Sequence, residues 1–176
     1  MGIISAEVTL DDTYSVRPAE PGEEGVVLDV LADAAAWLRE RGIEQWPRRF
    51  AVESVTDRIA AGEVLLVGAG GAVVATLVVT DSEPDLWPDR REGAAYVSRL
   101  AVTRGAAGSG LGERLLDWVQ DRVTARGGDA LRLATSRHNP GLRRYYEGLG
   151  FVHVADAHRA RWPTSLYERR GTHRRD

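Results

Sequence analysis

Between Thr103 and Trp118 the chain reads TRGAAGSGLGERLLDW, with Gly105, Gly108, Gly110 and Gly112 inside eight positions and an apolar helical pattern directly behind them. A strand that ends in such a turn and feeds a helix aims several backbone N–H groups at one point, because the first donors of a helix have no partner within it. The helix dipole adds roughly half a positive charge there. The chemistry this suits is the holding of an anion, typically phosphate. Glycines at 108, 110 and 112 permit close approach and positive φ. A tight strand-to-helix turn that holds nothing has the same outline. A Walker loop would need Lys and then Ser or Thr after the last glycine, whereas Glu113 and Arg114 follow Gly112. A dinucleotide fingerprint would place an acid about 20 residues on, in the next strand, and the strand LRLAT found there has none.

A second stretch with chemical promise is HNPGLRRYYEGLGF, residues 138–151. Asn139 suits a helix N-cap, Pro140 the first helical position and Gly150 a C-cap. Leu142, Tyr145, Tyr146 and Leu149 then share one helical face, where a tyrosine is either core or turned into a cleft. Trp46 and Trp87 flank prolines in loops, where the aromatic walls of a pocket often sit. Ser98 lies on the strand before the glycine turn. His138 reads as a surface residue. His153 and His158 lack convergent partners, so no metal site is expected.

These residues need a scaffold, and the patterning supplies one. YSVRPA (14–19) alternates as a strand. Val27, Val30, Leu31, Ala34, Trp37 and Leu38 form one face of a helix from Pro21 to Arg41, and Val52, Val55 and Ile59 suggest a second. VLLVGA (64–69) and AVVATLVV (72–79) flank Gly70-Gly71 as a hairpin. A charged, proline-containing loop (81–93) leads to the strand AAYVSRLAV (94–102). Leu111, Leu115, Val119 and Val123 mark a third helix, ALRLAT (130–135) a strand, and VHVADA (152–157) and SLYER (165–169) closing strands. The order mixes a hairpin with strand–helix–strand crossovers, the signature of a mixed-sheet α/β fold. Residues 1–13 read as a loose leader, 14–170 as a single domain and 171–176 as a basic tail.

Composition narrows the function classes. The 176 residues contain no Cys, which excludes disulfides, thiolate metal sites and a Cys nucleophile. All 23 basic residues are Arg, so neither a Schiff-base nor a P-loop lysine exists. A net charge of −3 argues against general nucleic-acid binding. No apolar run approaches the ~18 residues of a membrane span, and no secretory signal is visible, so the cytoplasm is expected.

Taken together, RLAVTRGAAGSGLGERLL and NPGLRRYYEGLGF, about 30 residues apart, resemble the acetyl-CoA-binding segments of the GNAT superfamily of N-acetyltransferases. In that family a strand precedes a turn written roughly Arg/Gln-x-x-Gly-x-Gly/Ala, and a later segment carries Asn, then Tyr, then Gly-Phe. Here those are Asn139, Tyr146, Gly150 and Phe151. WLRERGIEQWP (37–47) also looks like a segment of some family members. One departure is Ala107, which stands where the family usually has Arg or Gln; Arg104, three residues earlier, is the nearest replacement.

The resemblance implies a mixed, mostly antiparallel sheet of six to seven strands with about four helices. It implies that the backbone of Leu100, Ala101 and Val102 pairs with the pantetheine arm of acetyl-CoA. The turn Ala107, Gly108, Ser109, Gly110, Leu111 and Gly112 would hold the diphosphate, and Asn139 and Tyr146 would lie near the thioester. Tyr146 would be the acid that protonates the leaving thiolate. The acceptor would be a primary amine of a small molecule, amino acid or peptide, with Trp46, Trp87 and Ser98 as pocket candidates. Glu83, Asp85 and Glu92 are available carboxylates, and no base is assigned. No metal is implied, and a homodimer paired at a sheet edge is consistent with the family. The competing readings are a non-catalytic CoA-binding module, an enzyme using another acyl group or an O-acceptor, and an unrelated phosphate binder.

Overall fold

The computed structural model of the chain describes residues 2–89, 91–158 and 160–171. The elements are β1 (Val8–Thr9), β2 (Ser15–Pro18), α1 (Glu24–Glu40), α2 (Glu53–Ala60), β3 (Val64–Ala69), β4 (Ala72–Thr80), β5 (Ala94–Val102), α3 (Leu111–Ala125), β6 (Ala130–Ser136), α4 (Pro140–Gly148), β7 (Val152–Ala157) and β8 (Thr164–Arg170). Four helices and mostly antiparallel strands give the expected mixed α/β class, with eight strands among the described residues rather than six to seven. The residues gather into two compact units. One comprises the chain to Val79 and Arg99–Leu115, the other Thr80–Ser98 and the chain from Leu116.

In the first unit β1, β2, β3 and β4 pair antiparallel in chain order, with Val8 opposite Val16, Val16 opposite Val67 and Leu65 opposite Leu77. The β3–β4 turn is Gly70-Gly71, at φ 57° and 82°. Both values fit a hairpin turn that demands left-handed backbone, which is why glycine occupies both positions. The additional strand is β1, inside the stretch that patterning alone reads as a leader. Ile3 and Ile4 beside it are also buried. Two residues are too few to display alternation. Helix α1 buries Val27, Leu28, Val30, Leu31, Ala35 and Leu38, and α2 buries Val55 and Ile59. Much of this apolar face joins Val64, Leu66, Val78 and Ala101 in one core, against which Trp46 and Phe50 pack.

In the second unit the first residues of β5 run parallel to β6, from Ala94 opposite Ala130 to Val97 opposite Leu133. Parallel neighbours need a crossover, and α3 lies in it. Strand β8 pairs antiparallel with both β6 and β7. The loop 81–93 contributes to the core rather than only to the surface. Trp87 is buried with Ala94, Tyr96, Ala130 and Leu166, and its ring meets Tyr96 edge-on at 5.8 Å. The guanidinium of Arg132 sits 4.4 Å over the Trp87 ring. It donates from Nε to Glu168 Oε2 at 2.8 Å and from Nη1 to the Tyr96 hydroxyl at 3.1 Å. Arg91 from the same loop reaches Glu168 at 2.8 Å and Asp129 at 2.6 Å. At the C-terminal end, Gly171 donates to the Asp129 carbonyl at 2.8 Å; the remainder of the basic tail lies outside the described residues.

Candidate functional site

The parallel ladder of β5 ends at Val97, yet the strand continues to Val102. Just past the last pair stands Arg99 at φ 50°, the one non-glycine residue with positive φ among those described. That conformation costs an L-residue about 1–2 kcal/mol, and such outliers persist where the surroundings over-determine them. Leu100 and Val102 are half-buried and Ala101 is buried in the first unit's core. Thr103 closes the strand by donating to the Val74 carbonyl at 2.8 Å.

The glycine turn follows in the same unit. Residues 103–107 wind up on themselves: Ala106 and Ala107 both donate to the Thr103 carbonyl, at 3.0 and 2.9 Å. The Ala107 amide is therefore committed within the turn and contributes no outward donor. From Gly108 the pattern changes. Gly108 and Gly110 take φ of 77° and 76°, and the sites where a side chain would stand are open, with nothing within 4 Å. The first amide of α3 with a backbone partner is that of Arg114, which donates to Gly110 at 3.2 Å. The N–H groups of Gly108, Ser109, Gly110, Leu111, Gly112 and Glu113 meet no protein acceptor among the described residues. Ser109 fixes the loop through its hydroxyl, which donates to the Ala106 carbonyl at 2.6 Å.

Two arginines flank this turn. The Arg104 backbone amide donates to Asp33 Oδ2 at 3.0 Å, and its guanidinium pairs with Glu40 at 2.9 Å. Both partners lie on α1, so Arg104 ties the turn to that helix. Arg114 pairs with Asp11, donates to the Ser109 carbonyl at 3.1 Å and lies 5.0 Å over the Tyr14 ring. Sequence reasoning missed Arg114. The available signal was its position: a cation in the first turns of a helix opposes the dipole unless an anion compensates.

The second unit contains α4. Asn139 caps it, its Oδ1 accepting the Leu142 amide at 3.0 Å, and is itself buried. Tyr146 is 8% exposed and packs edge-on against Phe151 at 5.8 Å, with Tyr145 at 5.5 Å. Tyr145 is exposed. No hydrogen bond engages the Tyr146 hydroxyl among the described residues. Burial, reinforced by Tyr145, pushes this phenol well above its ordinary range, so it stays neutral at physiological pH. Helix α4 is tied to β8 through the buried Tyr167, whose hydroxyl accepts from Arg143 at 2.9 Å and donates to Glu147 at 3.0 Å.

The candidate residues thus divide between the units. Trp46, Leu100, Ala101, Val102 and the turn 107–112 belong to the first; Trp87, Ser98, Asn139 and Tyr146 belong to the second. Trp46 is half-buried and stacks edge-on with Phe50 at 5.9 Å. Trp87 is 5% exposed, under Arg132. Ser98 is half-buried, while Asp85, Glu92 and His138 are exposed. Among the described residues no group of three or more His, Asp or Glu is arranged to hold a metal ion. No helix among them is long and apolar enough to cross a membrane.

Residues 31–151 match the model of the acetyltransferase (GNAT) family. The chain is 31% identical over 158 residues to an uncharacterized N-acetyltransferase, YesJ, of Bacillus subtilis (strain 168), covering 85% of this chain and 88% of that protein. A GNAT-family acetyltransferase of Listeria monocytogenes superposes with a TM-score of 0.76 at 25% identity, over 94% of this chain and 99% of that one. A putative acetyltransferase of Salmonella typhimurium, solved with its cofactor acetyl-CoA, superposes with a TM-score of 0.64 at 18% identity, over 92% and 96% of the two chains.

Proposed function

The chain belongs to the acetyltransferase (GNAT) family, and from that premise we propose that it transfers the acetyl group of acetyl-CoA to a primary amine by direct attack. The observation that carries this reading is the run of uncommitted amides from Gly108 to Glu113, where the turn after β5 enters α3. Such a run suits a diphosphate, and a solved structural neighbour holds acetyl-CoA. The diphosphate is assigned to the amides of Gly108, Gly110 and Gly112. The pantetheine amides are assigned to the backbone of residues 100–102, beyond the last β6 partner of β5.

The chemistry follows. The neutral amine adds to the thioester carbonyl; a C–N bond forms, and negative charge develops on the carbonyl oxygen. A backbone N–H of residues 100–102 donates to that oxygen. The C–S bond then breaks; the amine nitrogen loses a proton to solvent water, the CoA thiolate takes one from the Tyr146 hydroxyl, and the phenolate regains its proton from solvent, so that amide and free thiol are the products. A thiol titrates near ~8.5 and a phenol near ~10, so full transfer costs about 2 kcal/mol even in water. Burial of Tyr146 raises that cost. Its contribution is then largely a hydrogen bond to the developing thiolate, with transfer completed as the product leaves. A positioned acid of this kind supplies ~10²–10⁴ in rate.

The test is a thermal-shift titration with acetyl-CoA, ATP and NAD, followed by free-thiol release over alkyl amines, amino acids and peptides. The proposal expects stabilisation by acetyl-CoA alone and amine-dependent thiol release. Stabilisation without release from any amine would identify a CoA-binding module instead. Stabilisation by ATP or NAD but not acetyl-CoA would overturn the assignment of the cradle.

A further inference from the structure

We propose that Arg99 is a positioning residue for the acceptor side of the reaction, tying the aromatic segment 46–54 to the strand that receives the thioester; this rests on the acetyl-transfer reading above. Its backbone stands at φ 50°, a conformation that glycine would adopt without strain. An arginine there implies that the side chain is needed, and its contacts say for what. Nη1 donates to both the carbonyl and the hydroxyl of Ser54, at 3.2 and 3.3 Å. The guanidinium lies 4.5 Å over the Phe50 ring, and Phe50 meets Trp46 edge-on at 5.9 Å. Ser54 in turn donates from its hydroxyl to the Ala51 carbonyl at 2.7 Å, which fixes the entry to α2.

Trp46 and Phe50 pack against the same core as Ala101, two residues beyond Arg99 on β5. One residue therefore does two things. Its backbone turns β5 where the ladder with β6 stops, and its side chain holds an aromatic pair beside the strand assigned to the thioester. An amine that approaches a thioester along residues 100–102 meets these rings. Arg99 acts on it through Phe50 and Ser54, without touching the reacting atoms.

The discriminating variants are Arg99→Gly, which keeps the φ and deletes the side chain, and Arg99→Lys, which keeps the charge and loses the planar fork. Hydrogen exchange of residues 50–56 is expected to accelerate at least tenfold in Arg99→Gly, with β3 exchange and the acetyl-CoA-induced Tm shift unchanged. With the fastest acceptor found among phenethylamine, spermidine, the free amino acids and peptides, the acceptor KM is expected to rise at least tenfold while kcat changes less than threefold. Arg99→Lys is expected to show the same KM defect. Unaltered exchange in Arg99→Gly, or an unaltered acceptor KM, overturns the proposal while leaving acetyl transfer intact. A wild-type protein that is not stabilised by acetyl-CoA, or releases thiol with none of the alkyl amines, amino acids and peptides of the acceptor screen, overturns the acetyl-transfer reading and this proposal with it.

Discussion

The backbone N–H of Arg114 donates to the carbonyl of Gly110 at 3.2 Å, and with that bond α3 begins to satisfy its own amides. The donors before it, from Gly108 to Glu113, meet no protein acceptor among the described residues. Gly110 holds φ 76° with open space where a side chain would stand. Gly110→Ala therefore tests backbone conformation rather than a clash. Alanine resists this φ by about 1 kcal/mol or more, and relief of that strain re-aims the amides. Titration calorimetry should show acetyl-CoA binding at least tenfold weaker; unchanged affinity would rule the cradle out.

Tyr146→Phe keeps the ring contacts with Phe151 and removes a hydroxyl that no described side chain engages. The fold should lose less than about 1 kcal/mol. Under steady-state assay kcat should fall at least tenfold with the KM for acetyl-CoA unchanged. Full activity in the variant would remove the phenol from the mechanism.

The pH dependence follows from the direction in which Tyr146 is shifted. A phenol raised by burial keeps its proton until the pH passes its elevated value. The donating form is thus fully present at neutral and mildly alkaline pH. The acceptor amine must lose its proton, with a lysine-like value near ~10.4. Plots of kcat/KM for the amine should climb toward that pH, with no falling limb below about 10. A descending limb near pH 8 that disappears in Tyr146→Phe would contradict this.

Stability of the second unit should depend on Glu168. Burial raises its carboxyl, but hydrogen bonds from Arg132, Arg170 and Arg91 outweigh burial and hold it below the usual range. The side chains of Glu168 and Arg132 are only 10% and 7% exposed. Glu168→Leu leaves Arg132 buried opposite an apolar group, at a cost of about 3 kcal/mol. Urea midpoints should show that loss, and Arg132→Met added to it should recover part. A neutral single variant would mean that the network is dispensable.

Local signals carried much of this architecture. Gly70-Gly71 between β-rich runs, the stripe Leu111, Leu115, Val119 and Val123, and Asn139-Pro140 ahead of a helix are all short-range patterns, and each marks the element it implied. What stayed hidden depends on distant partners. Arg99 leaves ordinary strand geometry to reach Ser54, 45 positions away. Arg114 finds Asp11 at a separation of 103. Trp87 sits in a segment whose prolines and charges read as loop, yet it is buried by Leu166 from the far end of the chain. Strand β1 has only two residues, and only its pairing with β2 defines it.

The central claim is that the amides following Ala107 hold the diphosphate of acetyl-CoA. The most direct measurement is a crystal structure of the chain with coenzyme A bound. The account predicts diphosphate oxygens within about 3.2 Å of the backbone nitrogens of Gly108, Gly110 and Gly112. A coenzyme bound with its diphosphate elsewhere, and those nitrogens facing only solvent, would contradict it.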